Sequence, residues 1–431
     1  MDRREFLGST TVLGLGAGMA AAMHVGEAAA AEKAQTPVRM AFMGVNGRGK
    51  DLLRGFVGFP QTEVAYICDP DAAVIPAAMK VVSDSGRKSP KVEKDFRVAL
   101  EDPEVDVLVC AAPDHWHSLA TILACQAGKD VYVEKPVSHN PIEGRRMVQA
   151  ARKYNRIVQA GTQRRSAADM QEAVKIVQSG KLGDVAFVRA WITSQRPNIG
   201  KEQVIAPPQD LDFDLWCGPA SNNGYKKNLV HYNWHWRWDY GTGECGNNGI
   251  HALDVARWGL GVDAPDLVVC GGGKNFFDDD QETPDTQLAT FDCGGTTIQW
   301  EHRTWSPHGI DNESFGVTFY GSEGTLAVRS HGWTLYAMEG KKEKEVQKRE
   351  PAEFENVHKQ NFFDCLISRA APNAEIEIAH RSTQFCQLAN IAWRTRSTVR
   401  FDGATETILG NDAATALLGR SYRKGFELPT V

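Results

Sequence analysis

The decapeptide His231-Tyr232-Asn233-Trp234-His235-Trp236-Arg237-Trp238-Asp239-Tyr240 is too polar and too aromatic for plain core. Indole rings beside a His, an Arg and an Asp can stack on the apolar face of a sugar ring while the polar groups bind its hydroxyls, which makes Trp234 and His235 candidate substrate contacts. Aromatic packing at a domain seam fits the same residues. Glycines recur from Gly241 to Gly249, and His251 then opens a helix-patterned stretch with Asp254, Val255 and Trp258 behind it. An imidazole at a helix start can face a cleft, and its neutral form suits proton abstraction near pH 7. Taken alone, the pattern fits a buried structural histidine better than a catalytic one.

Such groups need a scaffold, and the first half of the chain supplies one. Val38 to Met43 is a short apolar run that ends in Gly44-Val45-Asn46-Gly47-Arg48-Gly49, followed by a helix-like stretch with Leu52, Leu53, Phe56 and Val57. Strand, glycine turn and helix in this order form a pyrophosphate cradle: Gly44 makes the turn, Gly49 lets the helix pack closely, and backbone N–H groups of the turn, including Asn46, Gly47 and Arg48, face the phosphates. Asn46 stands where a second glycine is usual, and Asn tolerates the left-handed conformation better than most residues. A second strand, Glu63 to Cys68, ends in Asp69, 20 residues after Gly49. A carboxylate there accepts hydrogen bonds from ribose hydroxyls and repels a 2′-phosphate, so NAD is expected rather than NADP. Asp69-Pro70-Asp71 also reads as a helix cap.

The alternation continues with strands at Val105 to Ala111, Val131 to Val133 and Ile157 to Ala160, and helices at Leu119 to Ala127 and Ile142 to Tyr154. The expected fold class is α/β, with a doubly wound parallel sheet first. Ligands of such sheets lie beyond the carboxyl ends of the strands, which singles out Pro113-Asp114-His115-Trp116-His117, Glu134-Lys135-Pro136 and Gly161-Thr162-Gln163. Pro113, His115, His117, Glu134, Lys135 and Gln163 are therefore candidate cofactor contacts. A lysine at a strand end is otherwise a solvated charge.

With the glycine turn, Asp69 and Glu134-Lys135-Pro136 together, the chain resembles the glucose-fructose oxidoreductase, inositol dehydrogenase and rhizopine-catabolism (Gfo/Idh/MocA) oxidoreductases. The resemblance implies that Lys135 reaches both the substrate hydroxyl and the nicotinamide, that its bond to Pro136 is often cis, and that His251 takes the hydroxyl proton. An ammonium at Lys135 would stabilise alkoxide charge or relay a proton. The family commonly has Asp four residues before this histidine; here it is Asn247, whose amide cannot supply that charge, with Glu244 and Asp239 as possible substitutes. The resemblance also implies related branches that cleave glycosides through transient oxidation. A third reading is a binding or assembly protein that kept the fold without the chemistry.

After Gly161 the pattern becomes a helix at Ala168 to Ser179 and a strand at Asp184 to Thr193. Alternating segments follow at Gln287 to Asp292, Thr296 to His302 and Phe315 to Tyr320, with glycine turns between. A large, mainly antiparallel open sheet is expected, packed by helices on one face, and the resemblance implies a subunit interface on the other, hence a homo-oligomer. His358 to Ser368 and Ala379 to Thr395 are amphipathic helices that could return to brace the nucleotide half, and Lys341 to Glu350 is a charged hairpin or loop. His380-Arg381-Ser382 either lines the cleft or starts a helix. The division expected is 1–31, 36–160 and 161–431.

A net charge of −6 leaves no footprint for nucleic acid or for an anionic membrane surface, so the partner is expected to be small and not polyanionic, and the resemblance implies a sugar or polyol. Arg3-Arg4, a weakly apolar run from Thr11 to Met23 and the Ala28 to Ala31 cluster read as a twin-arginine signal, too short to span a bilayer, with export to the periplasm as the expectation and an uncleaved anchor as the alternative. Nine cysteines without a Cys-x-x-Cys pair read as buried hydrophobes, and no metal site is expected.

Overall fold

The protein is described from a computed structural model covering residues 37–431. The proposed signal lies outside the described residues.

Six parallel strands form the first sheet: β1 (Val38–Met43), β2 (Thr62–Cys68), β3 (Lys91–Glu93), β4 (Val107–Cys110), β5 (Asp130–Val133) and β6 (Val158–Ala160), in the order β3-β2-β1-β4-β5-β6. β4 and β5 are buried along their whole lengths, as continuous apolar runs covered on both faces must be. Around them lie α1 (Arg48–Val57), α2 (Ile75–Asp84), α3 (Phe96–Glu101), α4 (Asp114–Gln126) and α5 (Pro141–Lys153). The chirality of β-α-β crossovers places the β1–β4 switch at the carboxyl edge of β1, where the glycine turn is. α5 starts where the sequence dictates: the Asn140 side chain accepts the Glu143 N–H and Pro141 occupies the first turn. α4 begins earlier than its apolar pattern, so the whole 114–117 segment is helical rather than loop.

The second sheet has ten strands: β7 (Val185–Thr193), β8 (Leu267–Gly273), β9 (Thr286–Asp292), β10 (Thr297–Arg303), β11 (Phe315–Gly321), β12 (Gly324–Arg329), β13 (Gly332–Glu339), β14 (Lys342–Arg349), β15 (Val399–Asp402) and β16 (Thr407–Ile408). Their order is β14-β13-β12-β11-β7-β10-β9-β8-β15-β16. The sheet is mixed, because β7 pairs parallel with β10 while the other pairs are antiparallel. Burial alternates strictly along β10, so one face enters the core. That face packs on α6 (Ala168–Gln178), α8 (Ile250–Leu260) and α10 (Ile376–Thr395) around Trp300, Phe291, Phe319 and Phe385. β14 is exposed throughout; the charged segment is an extended edge strand held by backbone pairing with β13 rather than by a hydrophobic pattern.

The late helices do return to the first sheet. α9 (Glu355–Ser368) sends Phe362 and Phe363 into the cluster with Phe56 and Tyr132 on one face, while Ile376 and Ala379 of α10 join Val131 and Met147 on the other. Ala160 N–H donates to Ala374, so the far edge of the parallel sheet is finished by a segment more than 200 residues later. His380 lies inside α10, fully buried against Glu406, and not in the cleft.

Candidate active site

The turn after β1 is built as its glycines require. Gly44 has φ +78°, a side chain there would put Cβ 2.7 Å from Ala112 N, and a Cβ on Gly49 would fall 1.8 Å from the Gly44 carbonyl oxygen. Asp69, at the end of β2, accepts the Val45 N–H at 2.9 Å through Oδ2 and the Asp71 N–H at 3.0 Å through Oδ1. Burial pushes its carboxyl upward, against these donors. Gly44, Asn46, Gly47, Arg48 and Asp69 line a cavity of about 370 Å³ that continues past Pro113, Asp114 and His117 to Glu134, Lys135, Trp234, His235 and Asn247.

At the far end, Lys135 Nζ donates to the Asn247 carbonyl oxygen at 2.6 Å and to its Oδ1 at 3.1 Å. Burial lowers the Lys135 pKa, opposed by Glu134, Asp114 and Glu244. Asn247 belongs to a wide helical turn, Cys245–Gly249, that leads into α8. Its amide nitrogen faces Glu244 Oε2 at 3.4 Å, and the buried Glu244 carboxylate pairs with Arg196 at 3.2 Å and Asn248 at 2.7 Å. The negative charge that Asn247 lacks is therefore supplied nearby by Glu244. Asp239 is not a substitute: its carboxylate accepts from Asn223 on the exposed side.

His235 stacks on Trp234 with centroids 3.6 Å apart and has Nδ1 2.6 Å from the Tyr232 carbonyl oxygen. Burial pushes its pKa down to about 3, so the neutral ring presents Nε2 as its unused nitrogen. The cavity is roofed by the second half of the chain. Ala72 N–H donates to Asp210, Asp212 N–H donates to Pro70, and His231 Nε2 lies 2.7 Å from Asp71 Oδ2. Trp216, His231 and Tyr232 thereby cover the end of the cavity that Asp69 and Pro70 begin.

Four residues expected here do not line the cavity: Gly49, His115, Gln163 and His251. Gly49 acts through packing. His115 turns away because α4 has already begun; its ring nitrogens lie 3.3 and 3.0 Å from the carbonyl oxygens of Tyr240 and Trp216, and burial lowers its pKa to about 3. Gln163 donates to Glu355 at 2.8 Å. His251 lies close enough to Lys135 for the ammonium to act on it, but its buried Nδ1 has no partner, and burial, Lys135, Arg164 and Arg48 all hold its pKa well below the usual value.

Two others line the cavity in altered roles. His117 uses both ring nitrogens on backbone carbonyls, Pro136 at 2.7 Å and Ala112 at 2.8 Å, pinning α4 to the cis Lys135-Pro136 peptide. Arg48 is an ion-pair bridge, with Nε 2.8 Å from Glu134 and Nη1 3.1 Å from Glu355. Burial opposes its charge, but Glu134 and Glu355 outweigh that and raise its pKa; Arg48 and Gln163 in turn hold Glu355 at about 2 despite its burial. Asp114 was legible as part of a segment but not as a site residue. It is 1% exposed, lines the cavity and accepts the Thr242 hydroxyl at 2.7 Å.

The glycine turn, the carboxylate ending β2 and the continuous cavity to a half-buried lysine fit a nicotinamide dinucleotide, and the two sheets define a two-domain NAD-binding oxidoreductase architecture. Residues 38–162 match the model described as the oxidoreductase family's NAD-binding Rossmann fold, 164–271 its C-terminal alpha/beta domain, and 220–327 the GFO/IDH/MocA C-terminal domain. Together these matches span more than half of the chain, which belongs to the Gfo/Idh/MocA family of oxidoreductases. Among curated relatives, a Glycosyl hydrolase family 109 protein of Saccharopolyspora erythraea is 30% identical over 187 residues, 41% of this chain and 40% of the relative. Glycosyl hydrolase family 109 protein 2 of a Shewanella species is 32% identical over 105 residues, 23% of each chain. The chain thus aligns with less than half the length of these relatives. Aldose-aldose oxidoreductase from Caulobacter crescentus, in complex with glycerol, superposes with TM-score 0.65 at 17% identity, covering 85% of this chain and 100% of that one. Levoglucosan dehydrogenase, in complex with NADH and levoglucosan, gives 0.66 at 14% identity, covering 85% and 99%.

Replacing Gly49 with alanine tests the nucleotide turn. The overlap with Gly44 must push turn and helix apart, and overpacking of about 1–3 kcal/mol corresponds to NADH affinity weakened on the order of 10-fold or more. Fluorescence titration of NADH measures it; unchanged affinity would show that the turn does not hold the dinucleotide.

Proposed function

We propose that this protein is an NAD(H)-dependent oxidoreductase that moves hydride between nicotinamide and a hydroxyl of a sugar, polyol or glycoside. The observation that carries this reading is Lys135 Nζ, fixed by both oxygens of Asn247 at the end of the cavity that starts at the glycine turn. When bound, NAD supplies the hydride acceptor. The backbone of the Gly44–Gly47 turn holds the pyrophosphate and Asp69 holds the ribose diol. Lys135 hydrogen-bonds the reacting hydroxyl and stabilises the alkoxide charge, in a half-buried setting where that charge is less well solvated than in water. Trp234 and His235 offer a stacked aromatic face and one free imidazole nitrogen to the sugar. His251 is the residue the family resemblance assigns as proton acceptor. Together with the Arg3-Arg4 segment, the reading includes export with the nucleotide already in place.

A second reading has specific support, namely the glycosyl hydrolase name carried by the curated relatives. There the ketone formed at one carbon acidifies the neighbouring C–H, elimination breaks the glycosidic bond, water adds, and the ketone is reduced again. An exported enzyme with one retained nucleotide gains from such a redox-neutral cycle.

The experiment is to purify the full chain, release and identify its nucleotide, and follow nicotinamide absorbance with a panel of sugars and glycosides while analysing products. Lasting reduction with a keto product is expected. Glycoside cleavage without net reduction moves the second reading ahead, and failure to bind NAD(H) overturns both.

A further inference from the structure

We propose that Glu244 is the positioning residue of the reacting end, a carboxylate outside the cavity lining that aims Lys135 through the Asn247 amide and holds the sugar-facing aromatics through Arg196 and Tyr232. This rests on the hydroxyl chemistry proposed above and adds what fixes the geometry of that chemistry.

Asn247 and Asn248 follow Glu244 by three and four positions, the spacing that puts side chains on one face of a helical turn. The Glu244 side chain is wholly buried, and its hydrogen-bond partners are all donors: Asn248 Nδ2 at 2.7 Å, Arg196 Nη2 at 3.2 and 3.3 Å, and the Ser194 hydroxyl and Asn247 Nδ2 at 3.4 Å. A lysine ammonium only donates and a carboxylate only accepts, so one orientation of the Asn247 amide between them satisfies both. It is the one present, with Oδ1 3.1 Å from Lys135 Nζ and Nδ2 toward Glu244. Turned over, the amide would set N–H groups against the ammonium and an oxygen against the carboxylate. The contact with Glu244 is long, so it contributes orientation more than strength. The Asn247 carbonyl, 2.6 Å from the same Nζ, belongs to the same wide turn, and the two acceptors together give the lysine a single direction.

Arg196 carries the second arm. It lies just after β7, where its own N–H donates to the Thr304 carbonyl beyond β10 at 2.7 Å. Nη2 meets Glu244, while Nη1 donates to the Tyr232 hydroxyl at 2.8 Å, and the guanidinium stands 5.6 Å from the ring centres of Tyr232 and Trp236. Tyr232 lines the cavity, and its ring centre is 4.7 Å from that of His235, the ring stacked on Trp234. One buried anion therefore ties the group that meets the reacting hydroxyl to the face that meets the rest of the sugar. An anchor that merely held the wide turn in place would use the same Asn248 and Arg196 contacts, but it would not depend on where the negative charge sits relative to Nζ.

The test moves the charge. In the full-length holoprotein, with the panel sugar or glycoside that the wild type oxidises fastest, Glu244→Gln should lower kcat on the order of 100-fold and raise the KM for that sugar, with the nucleotide retained. The Asn247→Asp/Glu244→Gln double variant keeps the net charge and puts a carboxylate oxygen where Oδ1 lies, 3.1 Å from Nζ. It should regain at least about 10-fold in kcat while KM stays raised, because Arg196 still lacks its anion. A double variant no faster than Glu244→Gln, or one that restores KM as well, overturns the proposal. Tyr232→Phe, at an exposed side chain, removes only the hydroxyl that Arg196 holds; it should raise KM by a larger factor than it lowers kcat, and the reverse split overturns the second arm. Independently of turnover, an amine-reactive reagent at fixed neutral pH should modify Lys135 faster in Glu244→Gln than in the wild type, and more slowly again in the double variant, because a nearby carboxylate keeps Nζ protonated. Glu134, Asp114 and Arg48 also act on Nζ and are the same in all three proteins. Modification indifferent to Glu244 overturns the proposal. Modification that shifts as expected in a protein that oxidises no sugar hydroxyl would instead refute the proposed function.

Discussion

Replacing Lys135 with methionine is expected to lower kcat by about 10³-fold or more while leaving the nucleotide bound. Hydrogen-bond stabilisation of developing negative charge contributes roughly 10²–10³ and positioned proton transfer roughly 10²–10⁴, and the proposed function asks one Nζ for both. The methionine side chain matches the stem in length but leaves the Asn247 carbonyl and Oδ1 without their donor. Unsatisfied buried acceptors cost about 1–3 kcal/mol, so a modest loss of thermal stability should accompany the catalytic loss. Nucleotide content and kcat, measured on the same preparation, separate the two. Turnover within about 10-fold of wild type would remove Lys135 from the chemistry.

The second large effect concerns stability. Asp254→Ala is expected to destabilise the fold by about 3–5 kcal/mol, because the Arg165–Asp254 pair is almost wholly buried and truncation leaves a guanidinium without its anion. Asp254 accepts Arg165 Nε at 2.9 Å and Nη2 at 2.7 Å, and the Ser382 hydroxyl at 2.5 Å. Ser382 Oγ also accepts Arg257 Nε at 2.9 Å, so a second buried arginine shares the same anion. This cluster joins the segment after β6 to α8 and α10, and α8 carries His251 one turn before Asp254. Urea unfolding should show the loss, and the Arg165→Met/Asp254→Leu double variant should recover a large part of it, since removing both charges removes the unpaired one. A loss below about 1 kcal/mol would mean that water reaches the arginines.

The nucleotide half was legible because each of its signals is local. Continuous apolar runs marked β1, β4 and β5, and the spacing from Gly49 to Asp69 pointed to a carboxylate that the structure places at the end of β2, lining the cavity. The reacting end was legible in membership more than in role. Lys135, Asn247, Trp234 and His235 do share one cavity, yet His115 and His117 spend their nitrogens on backbone carbonyls, and nothing in the side-chain pattern reveals a carbonyl acceptor. Asp114 was missed because Thr242, which fixes it, lies 128 positions away. Glu244 was named as a substitute for the missing Asp, but its choice over Asp239 depends on the wide turn at Cys245–Gly249, which glycines permit without announcing. The roof from Asp210 to His231 has no regular period and holds to β2's end by backbone bonds and the Asp71–His231 contact.

The Arg48 bridge reaches further than electrostatics. Its partner Glu355 is 307 positions along the chain, and Glu355 also holds Gln163 and Lys359. During synthesis the glycine turn and Glu134 emerge early, but Glu355, the second carboxylate that holds Arg48, is made only after the second sheet up to β14. A nascent chain has local contacts enough to form β1, α1 and β2, and must wait for the long-range ones. Closing the Arg48–Glu355 bridge is therefore a late event, and a chain that has closed it has already made its whole first sheet and its second as far as β14.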